Sequence, residues 1–265
     1  MVGAGGRMGR TIIALSKATA TDLENPLQLV GALENSGSDA VGRDAGSLAG
    51  LEPMQVVISP ELATAIDPAK VVIDFSSPAN TLRVAEYCAR QAKALVVGTT
   101  GFSTTEKSVL EGFADRIPLL IAPNMSVGVN LLFHLVEQAA RSLRDGYDME
   151  IVEAHHHHKK DAPSGTAMRL KEVLLAATKR TEADVVYGRE GLIGARPARE
   201  IGVHTLRGGD VVGDHTVYFF GDGERVELTH RAASRNTFAA GALRAAAYLA
   251  GQSPGLYHMR DVLNI

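Results

Sequence analysis

The first half of the chain is a train of short apolar runs separated by helical stretches, and this alternation restricts the fold more than any other feature of the sequence. The runs fall at residues 29–33, 56–58, 71–73, 95–97 and 119–121. Each is three to five residues long and almost continuously apolar, as a strand covered on both faces must be. Between them the patterning predicts helices over residues 9–19, 79–92 and 104–113. Ser103, with Glu106 three positions later, forms a capping box at the start of the last of these. Asn25-Pro26 and Ser77-Pro78 are breaks. Parallel strands need crossover helices, so this alternation predicts an α/β fold with a doubly wound parallel sheet.

The second half follows another pattern. A helix over residues 129–143 leads to a strand at 148–154, a His-rich loop and a helix at 166–179. Two β-rich runs, 214–220 and 224–230, flank Gly221-Asp222-Gly223 and predict an antiparallel hairpin. An Ala-rich helix follows at 238–250. The expectation is an α+β domain after the α/β one, with the last helix returning to the first. At about 150 residues per domain, 265 residues make just under two domains.

Composition removes several classes of function. Lys and Arg total 27 against 30 Asp and Glu, so there is no general attraction to nucleic acid or anionic lipid. Trp is absent and aromatics are 5%, which argues against stacking on single strands. No apolar run approaches the ~18 residues of a membrane span. The opening Met1-Val2-Gly3-Ala4-Gly5-Gly6 lacks the basic start and apolar run of a signal peptide. The single cysteine, Cys88, precludes an internal disulfide and makes the cytoplasm the simplest compartment. Cys88 reads as a small core residue, His134 as a packed core histidine, and His204, His215 and His230 as structural residues on β patterns. Arg207 and Arg235 read as bridges between domains or subunits.

The 27 glycines cluster at strand ends. Gly3, Gly6 and Gly9 recur at a spacing of three in Gly3-Ala4-Gly5-Gly6-Arg7-Met8-Gly9. Such a loop lets backbone amides approach a pyrophosphate at a helix N-terminus. Glu34, at the end of the next strand, stands where a carboxylate accepts hydrogen bonds from an adenosine ribose. A tight turn without a ligand is the alternative, and the Glu with the β-α rhythm favours a dinucleotide. The strand before Gly3 is only Met1-Val2, shorter than the roughly five or six residues usual for a strand. Either the start is internal to a longer chain or the central strand is severely shortened, at a cost to stability and cofactor affinity.

The most unusual segment runs from Glu153 to Ala167 and contains His155-His156-His157-His158-Lys159. A purification tag does not fit an internal run. A metal site fits poorly, because neighbouring strand residues point to opposite faces; no metal is expected. A solvated polar loop is the remaining plain reading. Acid–base chemistry fits better: an imidazole exchanges protons near neutrality, Lys159 adds a cation, and Ser164-Gly165-Thr166 starts a helix whose free amides favour a carboxylate. One segment thus offers proton donors, cations and an anion-binding turn, as the reduction of a small acid requires.

Taken together, the opening glycine loop, Gly98-Thr99-Thr100-Gly101-Phe102, Ala122-Pro123-Asn124-Met125-Ser126, the Glu153–Ala167 segment, Arg207-Gly208-Gly209-Asp210, Gly213-Asp214-His215 and Ser234-Arg235 resemble the 4-hydroxy-tetrahydrodipicolinate reductase (dihydrodipicolinate reductase) family, nearly end to end. The resemblance implies a Rossmann-type domain, residues 1–125 rejoined by 236–265, and a mixed-sheet domain, 126–235, for substrate and for homotetramer contacts. It implies hydride transfer from NADH or NADPH to a small cyclic dicarboxylate in diaminopimelate and lysine biosynthesis. It makes His155 the catalytic acid/base and Lys159 a proton donor, with His156, Lys159, Ser164, Gly165 and Thr166 at the substrate. Gly3, Ala4, Gly5, Gly6, Arg7, Met8, Glu34, Gly98, Thr99, Thr100, Ala122, Pro123, Asn124 and Met125 become the cofactor site.

Two departures from the family pattern matter. His157 stands where the family often has Arg, and is expected to face away. Asn35 and Ser77 stand where NADPH-preferring members often carry Arg. An acid without an adjacent cation repels a 2′-phosphate and pairs with a free 2′-hydroxyl, so NADH is expected to serve at least as well as NADPH unless Arg7 or Arg10 binds the phosphate. The competing readings are another two-domain Rossmann oxidoreductase acting on a small acid, a non-catalytic NAD(H)-sensing module, and a homologue disabled by its short first strand. The proton donors of the Glu153–Ala167 segment argue against the sensor.

Overall fold

The computed structural model describes residues 1–18 and 27–265. The Asn25-Pro26 break and the expected helix end at Thr19 lie outside them. In chain order the elements are α1 (Arg7–Ala18), β1 (Ala32–Leu33), α2 (Ala45–Leu48), β2 (Ile58–Ser59), α3 (Leu62–Ile66), β3 (Val71–Asp74), α4 (Pro78–Arg90), β4 (Ala94–Val97), α5 (Thr104–Gly112) and β5 (Pro118–Ile121). They continue with α6 (Val127–Ser142), β6 (Asp148–His155), α7 (Gly165–Thr178), β7 (Val185–Tyr187), β8 (Ile201–Arg207), β9 (Gly213–Gly221), β10 (Glu224–Ala232), α8 (Asn236–Leu249), β11 (Gly255–Tyr257) and α9 (Met259–Leu263). The chain divides into one compact unit of residues 1–127 and 235–264 and a second of 128–234.

The first unit is the expected doubly wound parallel sheet. Its order is β2-β1-Val2-β3-β4-β5-β11, with Val2 bridging Leu33 on one side and Asp74 on the other. The strands alternate between two apolar layers. Leu95 and Val97 of β4 pack with Val84 and Cys88 of α4 and Leu110 of α5. Ala94 and Val96 pack with Ile12 of α1 and Ala242 and Leu243 of α8. Cys88 is a fully buried core thiol.

Pairing partners set the strand lengths here. The run expected over 29–33 pairs only at Ala32–Leu33, because Met1-Val2 and Ile58–Ser59 offer it no longer ladder. The run expected over 56–58 starts its strand at Ile58, since Val56 and Val57 are drawn into a turn around Asp44: the Val56 amide donates to Asp44 and its carbonyl accepts from Ala45. The capping box forms as read. Ser103 accepts from the Glu106 amide, and Glu106 accepts from the Ser103 amide.

The second unit is a mixed five-stranded sheet in the order β10-β9-β6-β8-β7, with β6, β8 and β7 parallel and β6, β9 and β10 antiparallel. The hairpin turn is tighter than the flanking residues implied: Gly221 pairs with Glu224, leaving Asp222-Gly223 at the tip. Burial alternates along β6. Met149 and Ile151 lie in a core with Leu132 and Val136 of α6 and Leu170 and Leu174 of α7. Asp148 and Glu150, in the alternate positions, meet Arg189, Arg196 and His204 in a network of ion pairs.

Candidate active site

In the first unit the strand order reverses between Val2 and β3, and ligands of open α/β sheets bind beyond the carboxyl ends of strands at such a point. A cavity of about 570 Å³ lies there. Gly6, Arg7 and Met8 line it from the opening turn, Gly98, Thr99 and Thr100 from the loop after β4, and Ala122, Pro123, Asn124 and Met125 from the segment after β5. Phe75, Ser76 and Phe238 complete it. The sequence pattern did not single these three out, because each comes from a segment with no motif of its own.

Gly3, Ala4, Gly5 and Glu34 stand outside the cavity lining. Gly3 turns the chain at φ 75°, and a Cβ on Gly9 would lie 2.1 Å from the Gly3 carbonyl oxygen, so a glycine is required where α1 leaves the loop. Ala4 is buried. The Gly5 and Asn35 amides donate to the two carboxylate oxygens of Glu34 at 2.8 and 2.9 Å. Beneath the cavity Asp74 is fully buried, and burial pushes its carboxyl up. The Ser76 amide donates to Asp74 at 2.9 Å and to Thr99 at 3.1 Å, which ties the loops after β3 and β4 together.

The second unit gathers a different kind of site. Sheet register places Arg207 opposite His155, and Thr205 and His215 on either side of Glu153. The Glu153 carboxylate is fully buried. Its Oε2 lies 2.6 Å from His155 Nδ1 and accepts from Arg207 at 2.8 Å. Its Oε1 accepts from Arg207 at 2.9 Å, from the Ser164 amide at 2.9 Å and from Thr205 at 3.3 Å. Burial alone would push this carboxyl up, but Arg207, His155 and the Ser164 amide outweigh it and hold Glu153 below the usual carboxylate range. Arg207, read from sequence as a bridge, is the counterion of Glu153 within one unit.

His215 is not merely a sheet residue. Its ring stands edge-on to that of His155, 5.1 Å between centroids, and its Nε2 lies 3.0 Å from Ser164 Oγ. Burial, then the neighbouring His155, lowers its pKa to about 4. Of these two adjoining imidazoles, His215 stays neutral at physiological pH. Ser164 also caps α7 by accepting from the Ala167 amide, and the space around Gly165 is open. A Cβ on Gly213 would come within 3.0 Å of His155 Nε2, so that glycine keeps the outer nitrogen uncrowded.

The remaining residues fall around this centre. Lys159 donates to Asp161 at 2.8 Å, and that bond holds the Asp161 carboxyl below its ordinary value. The His156 amide donates to the Val211 carbonyl, and Thr166 lies in the first turn of α7. His157 is exposed. His204 bonds Glu150 in the ion network, His134 is half-buried on α6, and Arg235 precedes α8 without a side-chain capping bond. Among the described residues no group of three or more His, Cys, Asp or Glu is arranged to hold a metal ion, and no helix is long and apolar enough to cross a membrane.

Residues 1–125 match the family model described as dihydrodipicolinate reductase, N-terminus, and residues 128–263 match its C-terminus. The chain is 54% identical to the 4-hydroxy-tetrahydrodipicolinate reductase of Anaeromyxobacter dehalogenans strain 2CP-1, covering 100% of this chain and 97% of the relative. It is 52% identical to that of Myxococcus xanthus, covering 99% and 96%. Among solved structures, its fold resembles the dipicolinate-bound dihydrodipicolinate reductase from Paenisporosarcina sp. TG-14 at a TM-score of 0.74 and 23% identity, over 97% of this chain and 95% of that one.

Proposed function

The chain belongs to the dihydrodipicolinate reductase family, and from that premise we propose which of its residues carry the reaction. It is an NAD(P)H-dependent oxidoreductase that reduces 4-hydroxy-tetrahydrodipicolinate to tetrahydrodipicolinate in diaminopimelate and lysine biosynthesis. Reduction adds a hydride and a proton, and the 4-hydroxyl leaves as water. When bound, the reduced nicotinamide supplies the hydride. The opening turn, the two loops beyond β4 and β5 and the 570 Å³ cavity fit such a dinucleotide, with the first amides of α1 free for its phosphates.

His155 supplies and recovers the proton as acid/base, and Lys159 donates a proton and neutralises a substrate carboxylate. The Gly165 and Thr166 amides and the Ser164 hydroxyl grip the diacid at the start of α7, beside His156. One observation carries this reading: a single buried carboxylate, Glu153, holds both the His155 ring and the Ser164 amide that opens α7. Replacing Lys159 with Ala lowers kcat and raises KM for the diacid together, because charge and proton leave at once. Unchanged kcat and KM would remove Lys159 from the site.

The cofactor of choice is NADH, or both nucleotides equally. The Glu34 carboxylate accepts from the Gly5 and Asn35 amides, with Asn35 rather than a cation beside it in sequence, and Arg10 donates to the Gly5 carbonyl at 2.8 Å. A coupled assay fed with the aldol product of pyruvate and aspartate semialdehyde checks this: kcat/KM for NADPH far above that for NADH contradicts it. We place the enzyme in the cytoplasm as a homotetramer. Exposed Leu192, Ile193 and Leu206 on the second unit offer apolar surface for a further copy, and sedimentation equilibrium reads the oligomer directly.

A further inference from the structure

We propose that Glu153 is the positioning residue for His155: its carboxylate, paired with Arg207, fixes the imidazole through Nδ1–H and presents Nε2 for proton transfer. The inference rests on His155 as the acid/base and goes one step behind it. Five donors or ring contacts converge on the two oxygens of Glu153, from Arg207 twice, the Ser164 amide, Thr205 and His155. Arg207 and the Ser164 amide can only donate, and an ionised carboxylate can only accept. The ring nitrogen 2.6 Å away therefore carries the proton and donates to it. That assigns the tautomer. Neutral His155 holds its proton on Nδ1 and offers a lone pair at Nε2; the imidazolium carries a transferable proton at Nε2 and rests on a fixed negative charge.

The surroundings of the ring are set by the sheet. Facing His155 are Glu153 on β6, Arg207 on β8 and His215 on β9, with Lys159 and Asp161 in the loop beyond. His215 is buried and stays neutral, and it bonds Ser164 Oγ while His155 Nδ1 takes the Glu153 oxygen. Without the Glu153 carboxylate an imidazolium at His155 would lose the anion bonded to its Nδ1 and keep Arg207 beside it.

The test compares the folded enzyme with Glu153→Gln and His155→Gln. Gln keeps the shape and removes the charge, so kcat falls about 10²-fold or more while KM for NADH stays within about twofold. ¹⁵N NMR of the histidine-labelled enzyme reads the tautomer: the wild type carries its neutral His155 proton on Nδ1, and Glu153→Gln moves it to Nε2. Where Glu153→Gln fails to fold because Arg207 is stranded, the double variant Glu153→Gln with Arg207→Gln removes that stranded charge and shows the same loss of kcat. A kcat within threefold of wild type in either folded variant, or a wild-type proton on Nε2, overturns the proposal. His155→Gln inactive beside an active Glu153→Gln sinks this inference alone; an active His155→Gln sinks the reading beneath it.

Discussion

The two units build their sites from opposite materials. The cavity of the first unit is mostly backbone, glycine and short uncharged side chains at strand ends. The centre of the second is a knot of buried charge, with Glu153 fully enclosed and His155 and His215 nearly so. A backbone cradle depends on what is left out, because a Cβ on Gly9 would meet the Gly3 carbonyl and one on Gly98 the Phe75 ring. A buried ionic centre depends on what is kept, because each charge needs its partner. The two sites should therefore fail in different ways.

The sharpest contrast comes from removing a charge. Arg207→Met leaves Glu153 buried and uncompensated, and chemical denaturation should show a loss of about 3–5 kcal/mol. A loss under 1 kcal/mol would mean that the carboxylate has other support. The pH dependence comes next. His215 has a folded pKa of about 4 against the unfolded 6.5, so between those values the unfolded chain binds more protons and stability falls as pH falls. Its contribution, full above pH 6.5, is lost by about pH 4 and amounts to roughly 3 kcal/mol. His215→Asn should flatten that slope; an unchanged slope would assign it to other groups.

The first unit should break by addition. Gly9→Ala sets a methyl against the Gly3 carbonyl and should cost about 1–3 kcal/mol. Cofactor KM should rise while kcat at saturation holds. A fall in kcat with KM unchanged would mean that the loop does more than bind. The smallest effect tests plain local structure: Ser103→Ala should lower stability by about 1 kcal/mol through its cap, with kinetics untouched.

The same contrast explains what could be read from sequence. The parallel sheet was legible because β4 and β5 keep their apolar residues in unbroken runs, and the Ser103–Glu106 cap because its members are three residues apart. β8 was not legible. Gly202 interrupts its apolar run where Glu150 needs room, and His204 enters the ion network on that face. The Glu153–Ala167 segment announced His155 and Lys159 by local composition. Arg207 reaches the Glu153 carboxylate, 54 residues away, and His215 reaches Ser164 and the His155 ring, only through sheet register, and no local spacing encodes that. Phe75 and Phe238 join the cavity from the loop after β3 and from α8, segments that carry no motif of their own.

The central claim is that an imidazole in the second unit moves the proton while the first unit holds the nucleotide. The most direct measurement is kcat with 4-hydroxy-tetrahydrodipicolinate, alongside the NADH dissociation constant, for wild type and His155→Gln. The account predicts a kcat lower by about 10²–10⁴ and an unchanged dissociation constant. Retained turnover with weakened NADH binding would contradict it.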